Sequence, residues 1–338
     1  MHLSCSYWYY FLSQQDSSEN TVRFRGGNVK EQHAYIYLAI IFLLLGIIPQ
    51  VVRAGYWLTL VYTLLIYTIL AKSWNIVGGF GGQVFLGNAA FFGLGAYACA
   101  MLYMSGLHPI LCILLSGFVA ACLAVILTPT FRLRGVYFVI GSLFIPEIMK
   151  VIILMLPITG GAAGIVIPIF GSERVILAYY SALVLTLVVI LATLFITKSK
   201  IGMYLRAIRD DQDAAEAFGI NPTIFKFLAL ILTAIFSGIA GGIHAFFMVY
   251  VEPHSFFETG WSVIPVFMVL IGGPSTLMGP ITGVAIYTLL RELFTVVARE
   301  VYLTMLGALL IIVMLTAPSG IYPMIVKFIS KDQSEKSS

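Results

Sequence analysis

Residues 78–97 read GGFGGQVFLGNAAFFGLGAY, and seven of these twenty residues are glycine. Each glycine inside a helix costs about 1 kcal/mol relative to alanine. Two properties of glycine suit a segment buried in a membrane. Small residues let helices approach closely, and a glycine-rich break is tolerated where protein or a water-lined cavity bonds the freed backbone groups. The stretch therefore predicts a helix break at residues 78–82 that leads into a helix, with close packing and a pathway-lining role as its alternative uses.

The composition of the whole chain indicates a membrane protein. Of its 338 residues, 60% are hydrophobic and only 10% are charged, whereas soluble domains have about 45–50% apolar and about 25% charged residues. A spanning helix needs about 20 mostly apolar residues. Runs of this kind occupy residues 34–52, 56–73, 83–105, 109–130, 135–157, 177–197, 227–250, 261–278, 280–298 and 301–318. The sequence predicts an all-α, polytopic transmembrane helix bundle of about ten spans, with glycine-broken or re-entrant segments at 78–82 and around GGPSTLMGP (272–280).

The distribution of basic residues predicts the orientation. Cytoplasmic loops carry an excess of lysine and arginine. If the N-terminus is cytoplasmic and all ten runs cross the membrane, the inner ends collect all but five of the 19 basic residues; the exceptions are Arg53, Lys150, Arg174, Arg291 and Arg299. Both termini are then cytoplasmic. Residues 1–32 form an N-terminal tail, 33–320 the transmembrane domain, and 321–338 a C-terminal tail.

One long hydrophilic connection lies in the middle of the chain, at residues 198–226, on the cytoplasmic side of this topology. Within it, DQDAAEAFG (211–219) favours a short helix, because alanine favours helix and acidic residues suit the N-terminal turn. Gly219, followed by Asn-Pro, stops that helix. The segment predicts either a short helix that protrudes from the bundle and can be pushed by a partner, or a solvated connector.

The sequence lacks the motifs of several enzyme classes. It contains no G-x-x-x-x-G-K-[ST] P-loop, no HExxH, no GxSxG and no paired Cys/His ligand spacing. We therefore expect no catalytic residues, no metal site and no enzyme activity. The chain cannot hold ATP phosphates in a P-loop of its own, so energy for any transport must come from elsewhere.

Three blocks of the chain resemble a known family. Asp213-Ala214-Ala215, followed after three intervening residues by Gly219, is similar to the EAA loop of ABC-importer permeases. The run that contains it, LRAIRDDQDAAEAFGIN (205–221), the later LIGGPSTLMGPITG and the opening glycine stretch together resemble the permease subunits of branched-chain amino-acid ABC importers, and the resemblance covers about residues 60–320. Asp213 replaces the usual glutamate, Asn88 stands where many relatives carry histidine, and Val136 stands where many carry aspartate. The last two departures leave the substrate open.

The resemblance implies a function and a set of partners. It implies a permease subunit in a prokaryotic plasma (inner) membrane that imports branched-chain or other small apolar amino acids by alternating access. The partners would be two cytoplasmic ATPase subunits that bind the ATP, a second related permease in a hetero- or homodimer, and an extracytoplasmic substrate-binding protein. The chain itself needs no cofactor and binds no nucleic acid. The alternatives are a urea or short-amide ABC permease, an ion-coupled secondary transporter, and a structural membrane subunit.

The candidate site residues fall into two groups. The residues predicted to couple the chain to the ATPase are Arg206, Arg209, Asp213, Ala214, Ala215, Glu216 and Gly219. The residues predicted to line the translocation pathway are Gly79, Gly82, Gln83, Gly87, Asn88, Glu147, Gly272, Gly273 and Gly279. Glu147 can instead form an ion pair with Lys150, three residues on along a helix. Two outer loops, ITGGAAGI (158–165) and the one with Glu252, His254 and Glu258, are candidate docking surfaces for the binding protein, or ordinary solvated loops.

Overall fold

A computed structural model describes residues 42–50, 55–132, 135–168 and 173–297, and in addition 307–308, 311, 315–316, 319–325 and 327. The chain divides into two compact units, Met1–Val52 and Arg53–Ser338. Residues 42–50 of the first unit are helical. The elements below belong to the second unit.

The second unit is built from helices. In chain order these are α1 (Tyr56–Trp74), a π-helix (Asn75–Phe80), α2 (Asn88–Met104), α3 (Pro109–Ile126), α4 (Val136–Met155), α5 (Glu173–Lys198), α6 (Lys200–Asp210), α7 (Gln212–Ala217), α8 (Pro222–Met248), α9 (Pro253–Phe256), α10 (Gly260–Gly272) and α11 (Gly279–Val297). Short 3-10 turns occupy Thr128–Arg132, Pro157–Thr159 and Gly161–Ala163, and two short strands are β1 (Ile165–Val166) and β2 (Tyr250–Val251).

Within the described residues, six helical segments are long and apolar enough to cross a membrane. They are Tyr56–Phe80, Pro109–Ile126, Val136–Met155, Glu173–Lys198, Pro222–Met248 and Pro253–Gly272. Helix α2 is apolar but shorter, with 17 residues, and α11 occupies the predicted ninth run. The prediction of an all-α polytopic bundle is confirmed. The predicted first run is described only from residue 42, and most of the tenth lies outside the described residues.

Two of the predicted span boundaries are wrong, and glycine-rich breaks are the reason. The run at 83–105 is helical only from Asn88, because residues 82–87 form an irregular segment outside any helix or strand. The run at 261–278 ends at Gly272, and the turn that follows includes Gly273 with φ +119°. Both segments leave the helix at a Gly-Gly pair and enter a new helix a few residues later.

The two outer loops of the predicted topology are joined by a small ribbon. Strand β1 pairs antiparallel with β2, so that Ile165 lies opposite Val251 and Val166 opposite Tyr250. The Ile167 N–H also donates to the carbonyl of Val249, at 2.7 Å. The segments after α4 and after α8 therefore lie at the same end of the bundle.

Glycines bring α2 and α8 into backbone contact. A Cβ atom added at Gly241 of α8 would overlap the carbonyl oxygen of Phe92, and one at Gly95 of α2 would overlap the carbonyl oxygen of Gly238. On another side of α8, a Cβ at Gly238 would overlap the Ala120 side chain of α3. Small residues permit this close approach in the absence of water. At the crossing of α2 and α8, the glycines thus serve close helix packing.

Candidate functional site

The structure contains a helix break at the glycine-rich stretch. Helix α1 continues into a π-helix at Asn75–Phe80, Gly82 adopts φ +67°, and the chain stays outside helix and strand until α2 begins at Asn88. π-helical turns are rare in proteins, and those that occur are often found at functional sites. The predicted break is therefore observed, and it extends from the predicted glycines to residue 87.

Protein groups bond the backbone that this break frees. The Trp74 indole N–H donates to the carbonyl of Phe85 at 2.7 Å. The Leu86 N–H donates to Ser142 Oγ of α4 at 2.9 Å, and the Ala89 N–H at the start of α2 donates to Ser262 Oγ of α10 at 2.8 Å. Helix α1 and two helices distant in sequence, α4 and α10, thus stabilise the break, which meets the requirement that irregular backbone in a membrane be bonded internally.

The two glycine-rich segments lie against each other. The Asn75 side-chain amide donates to the carbonyl of Thr276 at 3.1 Å and accepts from the Ser275 N–H at 3.0 Å. Ser275 Oγ donates to the carbonyl of Gly79 at 2.5 Å. A Cβ at Gly272 would overlap the carbonyl of Gly279, so the turn between α10 and α11 is itself tightly closed. Four of the predicted pathway glycines, 79, 272, 273 and 279, therefore belong to one junction.

Arg209 connects this junction to the hydrophilic segment. Its Nη1 donates to Ser275 Oγ at 2.6 Å, and its Nη2 lies 2.8 Å from a carboxylate oxygen of Asp210. The stem of Arg209 covers Gly82, because a Cβ added there would lie 2.5 Å from Arg209 Cγ. The three sequence blocks that carry the family resemblance thus meet at one place.

The predicted short helix in the hydrophilic segment is present as α7. Asp211 caps it, with a carboxylate oxygen that accepts from the Ala214 N–H at 3.0 Å. Gly219 follows it with φ +82°, a conformation that glycine adopts readily. Asn221 then caps α8 by accepting from the Thr223 N–H at 3.1 Å, and Pro222 is the first residue of that helix.

Helix α7 rests on the bundle by one face and exposes the other. Ala215 is only 3% exposed, and Gln212 accepts a hydrogen bond of 2.6 Å from the Nζ of Lys226 on α8. We use the name coupling knob for five of the exposed residues of this segment: Asp213, Ala214, Glu216, Phe218 and Gly219.

Phe218 is the residue of the coupling knob that the sequence analysis missed, and it is 87% exposed. The sequence signal for it is an aromatic residue in a hydrophilic connection, between the last alanine of a short helix and the glycine that stops it.

The two predicted coupling arginines bond within the chain. The guanidinium of Arg206 donates to the carbonyl of Thr197 at 3.5 Å. Both Arg206 and Arg209 therefore contact the chain's own backbone and side chains.

Asn88 lies in a buried polar cluster. Its Oδ1 accepts from Ser237 Oγ at 2.8 Å, and Ser237 Oγ lies 3.2 Å from Ser73 Oγ. Asn88 is fully buried, and its Nδ2 has no hydrogen-bond partner among the residues that the structure describes. Gln83 is half-buried and Gly87 packs against Phe85. The cluster places an amide with unused donor capacity at the first residue of α2.

Glu147 lies in α4 and forms the ion pair that its spacing allows. A carboxylate oxygen of Glu147 is 2.5 Å from Lys150 Nζ, and the Glu147 side chain is 43% exposed. The pair neutralises both charges within one helix. Glu147 is thus bonded to Lys150. The hydrogen bonds between the two glycine-rich segments are made by Asn75 and Ser275 instead.

The two predicted docking loops form one surface. Tyr250 Oη donates to the carbonyl of Ala163 at 3.0 Å, which adds to the β1–β2 pairing. His254 and Glu258 are exposed on this surface, and Ile158 is 74% exposed. Sequence reasoning named both loops but gave no reason to expect them to be paired.

These features define a class of protein: a multi-pass helical membrane protein whose helices are broken at glycine-rich segments, as in transport proteins. The chain belongs to the family described as "Branched-chain amino acid transport system / permease component", whose model matches residues 56–314. Members of this family are transport permeases and not enzymes, which confirms that part of the prediction.

Three relatives are transport permeases by name. The chain is 31% identical over 292 residues to the "High-affinity branched-chain amino acid transport system permease protein LivM" of Salmonella typhimurium, a match that covers 77% of this chain and 68% of that protein. It is 30% identical to the protein of the same name from Escherichia coli, with the same coverage. It is 25% identical over 229 residues to the "Probable branched-chain amino acid transport permease protein LivM" of Methanocaldococcus jannaschii, covering 61% of this chain and 65% of that one. No solved structure matches the chain.

Proposed function

We propose that the chain is the membrane-spanning permease subunit of an ATP-driven importer in the plasma membrane, and that its cargo is a branched-chain or other small apolar amino acid. The observation that carries this proposal is the coupling knob, in a chain of this permease family. A short helix is fixed to the bundle by Ala215 and Gln212, and it exposes Phe218 beside the carboxylates of Asp213 and Glu216. An exposed aromatic residue on a capped helix suits insertion into a groove of a partner subunit.

The proposed partners follow from the two ends of the bundle. Two cytoplasmic ATPase subunits would bind the ATP and hold the coupling knob of this chain and of a second, related permease. An extracytoplasmic substrate-binding protein would dock on the opposite surface, formed by residues 157–168 and 249–259. Closure of the ATPases would push α7, and tilting of the helices would turn the path at the glycine breaks from outward-facing to inward-facing.

An ion-coupled transporter needs an acidic group that is free to bind the ion. Glu147 is paired with Lys150 in the structure, so it supports that alternative poorly. A urea or short-amide permease differs from the proposed function in its cargo only. The experiment therefore includes urea and acetamide beside leucine, isoleucine and valine.

The function is tested by reconstitution in proteoliposomes with the proposed partners from the same organism: the ATPase subunits, the second permease and the binding protein. We expect the chain alone to hydrolyse no ATP. With all partners present, a cargo amino acid should stimulate hydrolysis and should accumulate only when ATP is supplied. Liposomes that lack this chain serve as the control. Accumulation driven by a proton or sodium gradient without ATP would contradict the proposal, and accumulation of urea in place of leucine would reassign the cargo.

The pathway role of Gln83 and Asn88 is a separate part of the proposal. We expect Gln83→Ala and Asn88→Ala each to lower the uptake rate about three- to tenfold at unchanged membrane abundance, since one or two hydrogen bonds to a polar solute contribute about 0.5–1.5 kcal/mol each. Ser237 keeps Ser73 as a partner in the Asn88 variant, so the fold should persist. Ser105→Ala, at the far end of α2, is the matched control. Unchanged uptake in both variants would remove these side chains from the pathway.

A further inference from the structure

Ser275 lies where three separate parts of the chain meet, and its backbone is unusual. It has φ +61°, a conformation that residues other than glycine seldom adopt. Such a residue persists where the surrounding structure fixes it, and such residues cluster at switch regions. Because the resemblance drew attention to the glycines of GGPSTLMGP, Ser275 was not among the predicted site residues.

The hydroxyl of Ser275 is used as donor and acceptor at once. It donates to the carbonyl of Gly79 in the π-helix at 2.5 Å and accepts from Arg209 Nη1 of α6 at 2.6 Å. A serine hydroxyl has one proton and two lone pairs, so this geometry uses its donor fully. The bond from Arg209 is charge-assisted and therefore stronger than a neutral one. One side chain thus connects the hydrophilic segment to the helix break.

The other side of the junction is fixed to α1 and to the first residue of the π-helix that continues it. The Asn75 amide bonds both the N–H of Ser275 and the carbonyl of Thr276. The ammonium of Lys72, which is fully buried, donates to the carbonyl of Leu277. Residues 275–277 are therefore held by Lys72 of α1 and Asn75 of the π-helix. The Ser275 hydroxyl thus gives α6 a hydrogen-bonded route to the Gly79 carbonyl, beside the direct packing of the Arg209 stem on Gly82.

We propose that Ser275 is the positioning residue through which displacement of α6 and α7 changes the helix break at residues 75–87. The proposal rests on the function proposed above. The π-helix is the two-state element: its carbonyl at Gly79 bonds Ser275, and release of that bond frees the segment to take another helical register. Arg209 moves with α7, because only Asp211, the cap of α7, lies between α6 and α7.

The test uses the assembled transporter in proteoliposomes and measures two rates: ATP hydrolysis and amino-acid uptake. Ser275→Gly removes the hydroxyl and suits the positive φ, so the turn should fold. We expect its uptake per ATP hydrolysed to fall at least fivefold, with membrane abundance unchanged. Thr276→Ala is the matched control: Thr276 Oγ1 bonds the Gly273 carbonyl and the Gly279 N–H within the same turn but has no bond to Arg209. Its ratio should stay within twofold of the wild type.

A double variant shows whether Arg209 acts through Ser275. We expect the double variant Arg209→Gln, Ser275→Gly to lower uptake per ATP hydrolysed no further than the more severe of the two single variants. Each single change removes the same Arg209–Ser275 hydrogen bond, so the second change has nothing more to remove. Independent, multiplicative losses would overturn the proposal, and so would an unchanged ratio in Ser275→Gly. If the wild-type assembly itself shows no ATP-dependent uptake, the proposed function fails first. If the wild-type assembly shows ATP-dependent uptake and the Ser275→Gly variant has the same uptake per ATP hydrolysed, the proposal for Ser275 fails while the proposed function stands.

Discussion

Replacing Gly241 by alanine is expected to lower the amount of folded protein in the membrane at least fivefold. The added Cβ atom would overlap the carbonyl oxygen of Phe92. That oxygen belongs to the backbone of α2, so a change of rotamer cannot relieve the overlap. The two helices must separate instead, and this also opens the contact between Gly95 and Gly238. Overpacking of this kind costs about 1–3 kcal/mol, and a loss of about 1–2 kcal/mol changes the abundance of a protein in the cell several-fold, because chaperones and proteases remove the unfolded form.

The matched control is Gly260→Ala, since Gly260 is also helical. A Cβ atom there would lie 3.6 Å from its nearest neighbours, at ordinary contact distance. Membrane abundance and the thermal stability of the detergent-extracted protein are measured for both variants. We expect Gly260→Ala to match the wild type. Equal stability of the Gly241→Ala and Gly260→Ala variants would show that α2 and α8 are farther apart than the structure places them.

The local features of the fold could be predicted from the sequence. Hydropathy indicates the spans because it depends on each residue's own transfer free energy, and the glycine cluster at 78–82 indicates a break. Asp211, Gly219 and Asn221 bound a short helix for reasons that lie within a few residues of chain. The partners of the break could not be predicted. Ser142 and Ser262 are unremarkable serines in the sequence, and their role depends on how distant helices pack.

The same distinction applies to the candidate site. The resemblance indicated Arg209, and the spacing of Glu147 and Lys150 allowed their ion pair. Two other residues needed three-dimensional information. Ser275 matters through its positive φ and two bonding partners, none of which a Gly-Pro-Ser-Thr turn reveals. Phe218 is one of many aromatics in a chain that has 14% of them. Its distinction is exposure at a polar surface, and sequence hydropathy would sooner place a phenylalanine inside.

Replacing Phe218 by aspartate is expected to lower substrate-stimulated ATP hydrolysis by the assembled transporter at least tenfold. Phe218 is 87% exposed on the coupling knob, so the substitution removes no packing from this chain. In the proposed complex the ring is buried in the ATPase, where burial of a phenylalanine contributes about 1.5–3 kcal/mol. Loss of 1.4 kcal/mol weakens binding about tenfold, and an aspartate in the same groove adds the penalty of an unpaired buried charge.

A substitution at Phe218 tests the contact with the ATPase more directly than a substitution at Ala215 would. A glutamate at Ala215, which is 3% exposed, would displace α7 from the bundle, and a loss of coupling would then have two explanations. Phe195→Ala is the matched control, because Phe195 is 72% exposed but lies in the apolar helix α5. Hydrolysis with and without cargo and co-purification of the ATPase subunit are measured for both variants. We expect Phe195→Ala to keep both properties. Phe218→Asp should lose both while its membrane abundance stays at the wild-type level, and retention of the ATPase subunit by this variant would refute the assignment of the knob as the contact surface.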